Sequence, residues 1–75
     1  MHVITKNSEI VVHKDHSTGR FFISVQPGEV KTDFLSKFGG VVTHRNNKYE
    51  LDPIYEPALM EFLEGTFDLI ARRGG

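Results

Sequence analysis

The sequence predicts an α+β fold: a small, mostly antiparallel sheet of four to five strands with two helices on one face. Three observations predict it. Short runs of β-branched and aromatic residues fill the first third and recur around an Asn46-Asn47 turn. Two later stretches, Lys31 to Phe38 and Ala58 to Arg73, space their apolar residues for helices. At 75 residues the chain is one domain, 1–75, without repeats.

His2 to Thr5 reads as a short strand and Lys6-Asn7-Ser8 as a turn. Glu9 to Lys14 is a better strand, through Ile10, Val11 and Val12. Asp15 to Gly19 is a polar loop. Arg20 to Gln26 is the strongest strand. Its Phe21, Ile23 and Val25 share an apolar face, and Phe22 stands alone among polar residues on the other. Pro27-Gly28 ends it. In the helix that follows, Phe34, Leu35 and Phe38 form one apolar side. Lys37 suits the negative end of the helix dipole. Gly39 is expected in the left-handed conformation that often closes a helix. Val41, Val42 and Thr43 then start a strand almost without a linker.

Asn tolerates positive φ, so Asn46-Asn47 suits a two-residue hairpin loop. That loop sets a register: Arg45 opposite Lys48, His44 opposite Tyr49, Thr43 opposite Glu50 and Val42 opposite Leu51. Val42, His44, Tyr49 and Leu51 then share the core face. His44 reads as a core or boundary histidine packed on Tyr49. Thr43, Arg45, Lys48 and Glu50 share the other face.

Asp52-Pro53 ends the hairpin, and Pro57 fits the first turn of a helix. Leu59, Phe62, Leu63, Phe67 and Ile70 follow helical spacing. Gly65 costs about 1 kcal/mol against Ala within such a helix. A fork opens there. Thr66 to Arg72 continues the helix, or becomes a strand with Phe67, Leu69 and Ala71 alternating. The Leu, Met, Glu, Ala and Arg content of the segment favours helix.

Bulk properties narrow the function classes. There are no cysteines, so neither disulfides nor thiolate metal ligands are available. No apolar run is long enough to span a bilayer. No basic-then-apolar leader follows Met1, so a cytoplasmic, intracellular location is expected. The net charge of −1 is unevenly spread. Up to Lys48 there are seven basic and four acidic side chains; from Tyr49 on there are two basic and six acidic.

Each candidate site has a plainer role that competes with it. His13, His16 and His44 lie on a strand end, a loop and a hairpin, with no common face to gather a metal, and none is expected. Asp15, His16 and Ser17 are the residue types of a nucleophilic triad, but a relay needs side chains converging from separate elements. Gly39-Gly40 follows a helix instead of preceding one, so the dipole has the wrong sign for a phosphate. A non-enzymatic chain without cofactor is expected. Phe22, beside Arg20, is able to stack on a base. The need of small domains to bury aromatics argues that the C-terminal helix or the first strand covers it.

Two resemblances follow from particular residues. The run FLSKFGGVVTHRNNKYELDP followed by PALMEFLEG resembles the HARP-like accessory modules of annealing helicases. Phe38-Gly39-Gly40, Lys48-Tyr49 and Leu59-Phe62-Leu63 occupy the places of that family's helix end, hairpin and closing helix. Val41-Val42 stand where the family usually has Arg-Trp. The resemblance implies a non-catalytic interaction module that binds nucleic acid, or a nucleic-acid-processing protein. Arg20, Arg45 and Lys48 are then the expected phosphate contacts and Phe22 the stacking residue. The second resemblance is to ubiquitin-like β-grasp proteins, carried by STGRFFISVQPGEV and by GTFDLIARRGG. It implies a modifier or sulfur carrier acting through Gly74-Gly75, with an adenylating, E1-like enzyme as partner. A small inhibitor, of viral origin for example, that caps a host protein is a third reading, compatible with size and split charge.

Overall fold

A computed structural model describes residues 2–6 and 9–74, with side chains over 9–68. Three strands, β1 (His2–Lys6), β2 (Ile10–Lys14) and β3 (Phe21–Val25), form an antiparallel meander. Helix α1 (Glu29–Phe38) leads to the hairpin of β4 (Thr43–Arg45) and β5 (Lys48–Leu51). A 3-10 turn at Pro53–Tyr55 then enters helix α2 (Glu56–Gly74). The sheet order is β1-β2-β3-β5-β4, so β5 is inserted beside β3 and β4 forms an edge.

The hairpin turns as expected. Asn46 and Asn47 have φ of 53° and 64°, the pair of positive values that matches the twist of two-residue hairpins. Arg45 pairs with Lys48, His44 with Tyr49 and Thr43 with Glu50. Pairing stops there. The N–H groups of Val41 and Val42 both donate to the Phe38 carbonyl, at 3.0 Å each, so these residues finish the helix instead of starting the strand.

Gly39 corrects an expectation. Its φ and ψ, −56° and −30°, are right-handed helical, not left-handed. Glycine is wanted for closeness: a Cβ there would lie 2.5 Å from the Leu35 carbonyl oxygen. The Gly39 N–H donates to that same oxygen at 2.9 Å. Gly28, before α1, has a strongly positive φ, 145°.

Alternate strand residues build the core: Ile10 and Val12 of β2, Phe21 and Ile23 of β3, and Leu51 of β5. Val30, Phe34 and Phe38 of α1 and Leu59, Phe62 and Leu63 of α2 cover them. Both helices therefore lie on one face of the sheet. Phe34 sits at the centre, fully buried, its ring 5.3 Å from Phe38, 5.5 Å from Tyr49 and 5.9 Å from Phe62. Leu35, expected on the apolar side, is 37% exposed.

The fork after Gly65 resolves as helix: α2 runs through Thr66 to Arg72 to end at Gly74. Burial explains it. Leu59, Phe62, Leu63 and Thr66 are buried with helical spacing, whereas Phe67, which a strand would turn inward, is exposed. Thr66 thus takes the inward place expected of Phe67. The side chain of Ile70, the Asn7-Ser8 turn and Gly75 lie outside the described residues.

Gly65 is exposed, and a Cβ built there meets nothing within 4 Å. Gly65→Ala is therefore expected to stabilise the chain by about 0.5–1 kcal/mol, by removing backbone freedom from the unfolded state. Urea midpoints compare the two; a lower midpoint for the alanine variant would show that α2 is not a continuous helix there.

Candidate nucleic-acid interface

Because both helices pack on one face, the chemistry of the other follows from strand alternation. Phe22 sits on β3 opposite Glu50 of β5 and, on its other side, opposite His13 of β2. Ser24 and Val11 pair next to them. Toward the hairpin lie Thr43 paired with Glu50, and Arg45 paired with Lys48. Arg20, just before β3, is in phase with Phe22. The four candidate binding residues, Arg20, Phe22, Arg45 and Lys48, are thus brought to a single sheet face.

Phe22 does not take the covered position expected of it. It is half-buried and lies outside the core cluster, on the face away from α2, and β1 is separated from β3 by β2.

Glu50 organises the charges. Its carboxylate lies 3.8 Å from Arg20 Nε and 3.6 Å from Arg45 Nε, while Arg20 also reaches Asp52 Oδ2 at 3.7 Å. The Glu50 side chain is only 14% exposed; Arg45 is 68% exposed. Long, partly solvated pairs of this kind contribute about 0–1 kcal/mol each. Their main effect is to hold two guanidinium groups around one point beside Phe22. Lys48 is exposed and makes no ion pair among the described residues. Three cations against Glu50 and Asp52 leave this patch with an excess of one positive charge.

The other candidates fall into structural roles. His13 is on the open face, His16 is in the β2–β3 turn, and His44 is on the helix side, so the three histidines do not meet. His44 is exposed instead of core, its ring stacked on Tyr49 at 4.6 Å. Asp15 Oδ1 accepts from the Ser17 N–H at 2.9 Å and the Ser17 hydroxyl at 2.8 Å. These bonds close a turn in which Gly19 has φ 76°, and they hold the Asp15 carboxyl below its usual range. No helix among the described residues is long and apolar enough to cross a membrane.

Glu50 and His13 flank Phe22 on this face, and neither stood among the site residues expected from the sequence. Glu50 was legible as a face-mate of Arg45 and Lys48. Its approach to Arg20 depends on β5 lying beside β3, which no local pattern announces. No family model, curated protein or solved structure matches the chain.

Proposed function

We propose that this chain is a non-enzymatic module whose open sheet face binds single-stranded nucleic acid. The observation that carries the reading is the gathering of Arg20, Phe22, Arg45 and Lys48 on the face left bare by both helices. An exposed sheet presents an aromatic ring flat to an unpaired base, and the cations around it meet the phosphates on either side. A base still paired in a duplex cannot reach Phe22, so single strands, including the arms of a fork, are the expected ligands. The helical course of α2 through Thr66 to Arg72 favours this reading over a carrier, which needs a strand leading into the Gly74-Gly75 tail.

Fluorescence anisotropy with labelled single-stranded, duplex and forked DNA at low salt tests it. Single strands and forks should bind more tightly than duplex, with affinity falling as salt rises because phosphate contacts release counterions. Replacing Arg45 and Lys48 together by Ala should weaken binding and flatten the salt slope by up to about 1.4, two contacts at about 0.7 each. Glu50→Gln removes a carboxylate that competes with phosphate and should act in the opposite sense. Undetectable binding to all three ligands would remove the proposal.

A further inference from the structure

The second feature is on the opposite side of the molecule. A groove of about 410 Å³ runs between α1 and α2, with Phe62 in its wall and the carboxylates of Glu29, Asp33 and Asp68 along it. Thr66 lines it too. Thr66 is only 5% exposed, and its hydroxyl has no hydrogen-bond partner among the described residues. A buried hydroxyl without a partner is uncommon and points to a ligand that supplies one. The groove also holds a cation of the chain's own: Lys37 Nζ lies 5.4 Å above the Phe62 ring. Around it, α2 from Glu56 to Asp68 carries four acidic residues and no Lys or Arg.

We propose that this groove binds an arginine side chain within an extended, basic segment of a partner protein. The guanidinium is planar, stacks on aromatic rings and carries five donors, so it suits an aromatic wall, carboxylates and one hydroxyl acceptor together. It would take over the Phe62 ring from Lys37. The groove is an open seam: α1 from Glu29 to Lys37 rises about 12 Å, the reach of about four extended residues. That shape and the acidic surroundings fit a peptide segment, and the site is independent of the sheet face.

Residue-resolved NMR titration with the peptide acetyl-Gly-Leu-Arg-Leu-Gly-amide tests the proposal. Amide signals of Asp33, Lys37, Gly65 and Thr66 should shift. The same peptide with citrulline, which keeps the shape and loses the charge, should bind about tenfold more weakly or worse. Thr66→Val, which keeps the buried volume and removes the hydroxyl, should weaken the arginine peptide by about fivefold or more. Lys37→Met should tighten it, because the internal competitor is gone. Equal binding of the arginine and citrulline peptides, shifts confined to the sheet face, or no shift at millimolar peptide would each overturn it. The comparison of two peptides on the unaltered chain keeps the result decisive if a variant folds poorly.

Discussion

Phe34→Ala is expected to destabilise the chain by about 3–5 kcal/mol. The ring is fully buried and lies within 6 Å of Phe38, Tyr49 and Phe62, so its removal opens a cavity where both helices meet the sheet. Neighbouring rings are held by separate elements and are unable to collapse together into the space. A chain of this length has a total stability on the order of 4–11 kcal/mol. The loss is therefore a large share of the whole, and partial unfolding at room temperature is expected. Leu35→Ala, one residue along and on the exposed side, should cost less than about 1 kcal/mol. Urea denaturation followed by circular dichroism compares them. Similar midpoints for the two variants would mean that α1 faces the sheet through a different side.

Phe22→Ala should have the complementary effect, on binding more than on folding. A base stacked on an aromatic side chain is worth about 1–3 kcal/mol, so affinity for a single strand should fall roughly 5- to 150-fold. Stability should fall by roughly 1–2 kcal/mol, well short of the loss at Phe34, since Phe22 is half-buried but outside the core cluster. Phe22→Tyr keeps the ring and should keep most of the affinity. Unchanged affinity in the alanine variant would leave the cations as a non-specific patch and remove the stacking role.

The parts of this architecture set by local chemistry were legible in the sequence. Asn46-Asn47 determined the hairpin register because only a few residues accept positive φ at both positions, and the register then assigned faces to Tyr49, Glu50 and Lys48. The alternation of Phe21, Ile23 and Val25 showed which way β3 faces. The helical course of Thr66 to Arg72 was one branch of a fork, favoured by propensity and secured by the burial of Thr66.

What was not legible depends on contacts between distant segments. Two helices on one face were expected, yet the need to bury aromatics, argued from one strand alone, placed Phe22 under cover, whereas it is half-buried on the face away from them. The clasp of Arg20 and Arg45 on Glu50 needs the order β3-β5-β4, which places three separate stretches side by side. Gly39 shows a finer limit. Its position after the helix was readable, but the reason for glycine is a carbonyl oxygen one turn back.

The most direct measurement is a map of amide chemical-shift changes as a short single-stranded oligonucleotide is added to isotope-labelled protein. The open-face account predicts shifts at Phe22, Ser24, Thr43, Lys48 and Glu50, with Leu59, Leu63 and the rest of the α2 layer unmoved. Shifts centred on α1 and α2, with β3 and β5 silent, would contradict it.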